Sequence, residues 1–243
     1  MIDETTTPIL NGEEWLSYID NTESIDEIPA ALGNTPFYKS AVTTLGAATS
    51  IGKTAWGLQT FRWLIEDGQN TAYCTLEMSP AQLFKRFKTQ FGGDVECREW
   101  IEFYDANITH SYLDYTEVER VIREGYDFVI IDHIHELPFE GHEDLGRKVR
   151  RIASLAPETG TTIVMLSQMK QKTDEFDNGP PQLYDYSWTK AIAEVSSVCQ
   201  AIWKPDPEEP DYQLVTLKNR FDELDPPLNM HLDKATVTFR PSI

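Results

Sequence analysis

The sequence predicts an α/β fold in which a mostly parallel sheet carries helices on both faces and is extended at its C-terminal end by β-hairpins. Three observations predict it. Apolar β-type runs alternate with helix-period segments from residue 41 to about residue 204. The runs are apolar throughout instead of alternating with polar residues, as expected of strands covered on both sides. From Pro205 onward, Pro207, Pro210, Pro226 and Pro227 punctuate short β-type runs with no helical pattern between them, which reads as hairpins.

Taken in order, residues 1–36 hold Asp3, Glu4, Glu13, Glu14, Asp20, Glu23, Asp26 and Glu27, no Lys or Arg, and few apolar side chains. They read as an acidic N-terminal arm or linker, followed by one ATPase-sized domain over 37–243. In the arm, NGEEWLSYID (11–20) sets Trp15, Leu16 and Ile19 for one short amphipathic helix, though a solvated tail accounts for the same pattern. AVTTLGA (41–47) is the first long strand, and a helix follows from Thr54 to about Asp67. The next strand is NTAYCTL (70–76), and Ser79 and Pro80 supply a cap and first-turn pair for a second helix. Further strands are WIEFYDA (100–106), YDFVIID (126–132), TTIVMLSQ (161–168), SVCQAIWK (197–204) and YQLVTLKN (212–219). Helical patterns occupy 116–124 and 144–157. In the latter, Leu145, Val149, Ile152, Ala153 and Ala156 form one buried stripe. There is no internal repeat.

Composition narrows the function classes. A chain of 243 residues with 40% hydrophobic and 25% charged residues is globular and long enough for one sizeable core. Three cysteines, Cys74, Cys97 and Cys199, with no C-x-x-C pair argue against a disulfide framework and a zinc ribbon, and imply a reducing compartment. No apolar run approaches membrane-spanning length, and MIDETTT lacks the basic and apolar regions of a signal peptide, so a soluble cytoplasmic protein without membrane contact is expected. The formal net charge is −19. That disfavours a surface that binds nucleic acid everywhere, because phosphate neutralisation needs Lys and Arg, but it leaves room for a local basic site.

The most informative segment runs from a strand through Ala47, Ala48, Thr49, Ser50, Ile51, Gly52, Lys53 and Thr54 into a helix. A loop of this kind cradles phosphates with backbone N–H groups at a helix N-terminus, its Lys reaches the β- and γ-phosphates, and its Thr hydroxyl reaches Mg²⁺. ATP and Mg²⁺ are the implied cofactors. The pattern G-x-x-x-x-G-K-S/T is not met at its first position, which is Ala47, with Gly46 one residue earlier. Asp132, closing the strand at 126–132, is the expected second metal-site residue, and Glu77, at the end of the strand at 70–76, is placed to deprotonate an attacking water. Ala47, Glu77, Asp132 and Gln168 all fall at strand carboxyl ends, where open α/β sheets bind ligands.

These pieces together resemble the DnaB-type replicative helicases, specifically their RecA-like motor domain. The matching segments are GAATSIGKT (46–54), LEMSPAQLFKR (76–86), VIIDHIHEL (129–137), VMLSQMKQ (164–171) and TLKNR (216–220). The resemblance implies a RecA-like P-loop fold over nearly the whole chain, with Lys53 and Thr54 on phosphates and Mg²⁺ and Glu77 as catalytic base. It further implies Asp132 at the metal, Gln168 as γ-phosphate sensor, and Lys218 and Arg220 acting in trans on a neighbouring subunit's nucleotide, hence a ring, most simply a hexamer. DNA replication, single-stranded DNA and replication proteins are the process and partners it implies. Against the family pattern, a 36-residue arm is too short to be a primase-recruiting domain, Ala48 stands where an Arg is usual, and Asp132-His133-Ile134-His135-Glu136 replaces D-Y-L-Q-L.

Other readings weigh less or compete. His133, His135 and His142 suggest a metal site, but further ligands at suitable spacing are missing. Among the DNA candidates Lys170, Lys172 and Lys190, the segment 169–190 also carries Asp174, Glu175, Asp177 and Asp185, while Tyr184, Tyr186 and Trp188 offer either base stacking or anchoring. Arg147, Lys148, Arg150 and Arg151 form a compact basic group, either a polyphosphate contact or a solvated helix face. Two function classes follow: an ATP-driven helicase or translocase reduced to its motor, and a DnaB-like ATPase acting through protein partners as a helicase loader or a replication or recombination accessory. Adaptation to high salt would also produce the acidity.

Overall fold

The computed structural model describes residues 26–90, 113–170, 179–186, 190–206 and 208–242. The amphipathic piece at 11–20, the strand expected at 100–106, Lys172 and Trp188 lie outside them.

The described elements, in order, are β1 (Glu27–Ile28), β2 (Phe37–Tyr38), β3 (Val42–Ala47), α1 (Lys53–Glu66), β4 (Thr71–Thr75), α2 (Pro80–Gln90), α3 (Tyr115–Ile122) and β5 (Phe128–Asp132). There follow α4 (His142–Thr159), β6 (Thr162–Gln168), α5 (Ala191–Val195), β7 (Val198–Trp203), β8 (Asp211–Asn219), β9 (Leu228–Asp233) and β10 (Thr238–Pro241), with short 3₁₀ turns at Ile134–Glu136 and Leu183–Asp185. Eight strands make one sheet in the order β10-β9-β8-β7-β3-β6-β5-β4. The five from β7 to β4 are parallel, and β8, β9 and β10 are added antiparallel as the expected hairpins.

Connectivity decides which face each helix covers. The chain leaves β3 toward the β4 edge and then steps back through β5 and β6 to β7. Because such crossovers are right-handed, α1 must lie on one face and the returning helices α3, α4 and α5 on the other. The packing agrees: Trp56, Leu58, Phe61 and Leu64 of α1 share a core with Leu83 and Phe87 of α2. Val118, Val121 and Ile122 of α3, Leu145, Val149 and Ile152 of α4, and Ile192 of α5 fill the other. At about 1.5–3 kcal/mol per fully buried large apolar side chain, these two layers dominate the stabilisation of the fold. The chain direction reverses around β3, so the crevice at the carboxyl ends of β3 and β6 is the switch point where ligands bind in such sheets.

Residues 26–36 are part of this packing. Glu27–Ile28 pairs antiparallel with Phe37–Tyr38, and Ile28, Leu32 and Phe37 are buried against the α1 layer. The far edge is tied in as well. Gln59 of α1 donates to the carbonyl of Phe239 (2.9 Å) and accepts from its N–H (2.9 Å), so a side chain takes the place of a neighbouring strand for one residue of β10.

Candidate nucleotide site

The loop 48–52 leaves β3 beside the ends of β6 and β7, since Ala47 pairs with both Gln168 and Ile202. Two backbone positions shape it. Ser50 adopts a left-handed conformation (φ 65°), and Gly52, at the helix cap, has φ 117°, a region that L side chains rarely occupy. Phe239 of β10 sits under Gly52: a Cβ there would come within 2.8 Å of the ring. The loop is thus pinned from below by the last strand. Helix α1 opens with no capping side chain and no acidic residue in its first turn, so its orphan N–H groups face the crevice with the positive end of the helix dipole. That is an anion site.

Lys53, the first residue of α1, points back over the loop, with Nζ 3.4 Å from the carbonyl of Ala47. Burial pushes its pKa down, and Asp132 and Glu77, both close enough to favour the ammonium, do not fully restore it. An ammonium left short of negative charge is suited to an anionic ligand. Asp132, the last residue of β5, is 2% exposed and accepts from the Tyr73 hydroxyl at 2.7 Å through Oδ2. Burial raises its pKa, against the Tyr73 and Thr54 hydroxyls, His133 and Lys53, which favour the carboxylate. Its Oδ1 is buried without a hydrogen-bond partner. A buried orphan acceptor next to a threonine hydroxyl at a helix N-terminus fits a hydrated divalent cation. Tyr73 carries no sequence signal for this role, being one aromatic in an apolar strand.

Glu77 lies two residues beyond β4 and is exposed, facing the crevice from the β4 side, with Oε2 3.3 Å from His133 Nδ1. His133 is itself buried, and its Nε2 lies 3.4 Å from Glu136 Oε1. Gln168, at the end of β6, donates through Nε2 to the Thr49 hydroxyl at 2.8 Å, and its backbone N–H meets His135 Nδ1 at 3.3 Å. The sensor position thus touches the loop directly. His135 serves as a brace between β6 and the turn after β5. Among the described residues no group of three His, Cys, Asp or Glu is arranged to hold a metal ion, which agrees with the low weight given to the histidines as ligands.

Lys218 and Arg220 lie elsewhere. A β-bulge between β7 and β8 breaks the register after Cys199, which pairs with Lys218 while Gln200 pairs with Thr216. Lys218 Nζ then donates to the carbonyls of Ala193 (2.6 Å) and Glu194 (3.4 Å), and the Arg220 guanidinium also donates to Glu194. Both cations therefore close the C-terminus of α5 near the amino ends of the parallel strands, away from the loop of their own chain. Of the DNA candidates, Lys170 and Lys190 are exposed. Tyr186 is an anchor, 4% exposed with its hydroxyl donating to the carbonyl of Gln200 (2.8 Å), whereas Tyr184 is 69% exposed. The basic group on α4 is paired with acids: Arg147 and Lys148 with Asp144, Arg150 with Glu194, and Arg151 with Glu119 and Glu158. It reads as a solvated ion-pair network and not as a polyphosphate contact. The buried thiols are pushed up, Cys74 to about 12 and Cys199 to about 11, chiefly by desolvation, so neither is a nucleophile.

No protein-family profile and no curated protein sequence matches the chain. Its fold is nonetheless shared with solved structures. The ATPase domain of a DnaB-like helicase superposes with a TM-score of 0.71 at 16% identity, covering 93% of this chain and 94% of that one. A DnaB-like replicative helicase whose structure was described together with its interactions with primase gives 0.72 at 16% identity, covering 93% of this chain and 64% of that one. A KaiC-like protein from the hyperthermophilic archaeon Pyrococcus horikoshii gives 0.71 at 12% identity, over 90% of this chain and all of that one. The chain has the RecA-like P-loop fold, with a mostly parallel sheet flanked by helices and C-terminal antiparallel hairpins. No helix among the described residues is long and apolar enough to cross a membrane.

Proposed function

We propose that this chain is an ATP-hydrolysing motor of the DnaB-like type that moves along single-stranded DNA in replication as a ring, most simply a hexamer, with replication proteins as further partners. The observation that carries this reading is the convergence, at one carboxyl edge of the sheet, of Lys53, Glu77, Asp132 and Gln168 around the uncapped N-terminus of α1. In it, the N–H groups of residues 48–54 and the Lys53 ammonium hold the β- and γ-phosphates, and Thr54 and Asp132 hold Mg²⁺. The ion neutralises charge on the transferring phosphoryl group. Glu77 takes a proton from the water that attacks the γ-phosphorus, and ADP leaves as the bridging P–O bond breaks. Gln168, already bonded to Thr49, reports whether the γ-phosphate is present. Lys218 and Arg220 serve the nucleotide of the adjacent subunit. Lys170, Lys172 and Lys190 face the DNA.

The test is ATP turnover by the purified chain. Lys53→Ala and Glu77→Gln should each abolish it, and single-stranded DNA should stimulate the unaltered protein and be required for ATP-dependent unwinding of a forked duplex. Unchanged turnover in either variant rejects the site. Turnover that is lost in both variants but is indifferent to DNA at low and at high salt favours the loader or accessory reading, for which the acidic surface would be the interaction surface.

A further inference from the structure

We infer that His133 is the positioning residue for the general base Glu77, an inference that rests on the hydrolytic reading of the site. Glu77 is a flexible side chain with 59% of its surface exposed, and holding such a side chain in one rotamer costs roughly 1.5–2 kcal/mol of conformational entropy. A base must nevertheless lie within hydrogen-bond reach of the water it deprotonates. The group that meets Glu77 is His133, whose side chain is only 7% exposed and whose ring is fixed by its place directly after β5.

The ring lies between two carboxylates, with Nδ1 3.3 Å from Glu77 Oε2 and Nε2 3.4 Å from Glu136 Oε1. Nδ1 is buried without a well-aligned hydrogen bond, so a small rotation of the mobile Glu77 side chain completes one. Glu136, on the 3₁₀ turn held by its N–H bond to the His133 carbonyl (3.0 Å), sets the orientation of the ring from the far side. The arrangement gives Glu77 one preferred position over the crevice, beside Lys53 and Asp132. It also gives a physical reason for a histidine at a position where the resembling family carries tyrosine.

The experiment compares His133→Ala, His133→Phe and His133→Asn in the full chain, measuring kcat and KM for ATP and the affinity for a fluorescent ATP analogue. Alanine removes the ring, phenylalanine keeps its volume without nitrogens, and asparagine restores a donor near Nδ1. Loss of kcat by about tenfold or more in the Ala and Phe variants is expected, since a positioned base contributes about 10²–10⁴ in rate. KM and analogue affinity should stay within about twofold, and Asn should recover most of the rate, a pattern that mere loss of packing does not produce. Normal kcat in the Phe variant, or a loss that appears in KM and analogue affinity instead, overturns the inference. An Asn variant as slow as Phe overturns it too. The two readings fail separately: full turnover in Glu77→Gln removes the base itself, whereas an inactive Glu77→Gln beside a fully active His133→Phe removes only the role of His133.

Discussion

Gly46 lies one residue before the end of β3, and a Cβ built on it would fall 2.5 Å from Met169 Sδ and 2.8 Å from the Tyr186 ring. The Met side chain can swing, but Tyr186 is held by its hydroxyl bond to Gln200 and by the bridge between Met169 and Tyr186. Gly46→Ala is therefore expected to cost about 1–3 kcal/mol through overpacking, with each kcal/mol lowering Tm by about 2–4 °C in a chain of this size. Thermal unfolding measures it, and an unchanged Tm would mean that the ring moves freely. This contact explains the displaced glycine of the nucleotide loop. Ala47 fits the first motif position because its side chain is buried at the strand end, while the glycine one residue earlier answers to packing under β6 and not to phosphate. Residues that act alone on a ligand, such as Lys53, Thr54 and Asp132, were legible because each follows a strand or opens a helix in a fixed order. Tyr73, which holds Asp132, and His133, which meets Glu77, were not: their roles depend on neighbours 59 residues away in one case, and in the other on a strand end that only the folded sheet brings alongside.

At the scale of elements, the hydrophobic runs located the five parallel strands to within a residue or two, because a strand covered on both faces must be apolar along its whole length. The edges were harder to read. β8, β9 and β10 are half covered, and the bulge that turns Lys218 toward α5 has no pattern of its own. Nor does the tie between β10 and α1, made by one glutamine. Gln59 satisfies both backbone groups of Phe239, whose ring supports Gly52, and Gln90 reinforces the same corner by donating to the carbonyls of Ala55 (2.9 Å) and Val237 (3.0 Å). Gln59→Ala removes two hydrogen bonds worth about 0.5–1.5 kcal/mol each, so Tm should fall by about 2–9 °C. Nucleotide affinity should fall with it, since the hairpin would no longer press Phe239 against the loop. A lowered Tm with unchanged affinity would show that the loop holds its shape without β10.

For the whole molecule, the decisive fact is that the two halves of the catalytic machinery sit at opposite ends of the sheet. Lys218 pairs with Cys199, which pairs with Thr44, three residues short of Ala47, so it lies about 10 Å back along the strands from the nucleotide loop. Arg220 lies farther back still, its N–H bonded to the Ser197 carbonyl. A single chain cannot bring these cations to its own phosphates without dismantling the sheet. They therefore either serve a second copy or only close α5, and the two roles separate in a mixing experiment. Arg220→Ala leaves Glu77 intact, and Glu77→Gln leaves Arg220 intact. If the finger acts in trans, each preparation is inactive alone. Co-assembled in equal amounts, about one interface in four joins an intact base to an intact finger, and because such a finger contributes about 10³–10⁵ in rate, the restored turnover stands far above either parent. Mass measurement of the mixture with ATP and Mg²⁺ confirms co-assembly. Mixed rings without recovered turnover would leave Lys218 and Arg220 as the C-terminal closure of α5. Recovery would instead make the acidic exterior irrelevant to catalysis, since −8 of the −19 belongs to residues 1–36 and the reacting charges meet only where two copies join.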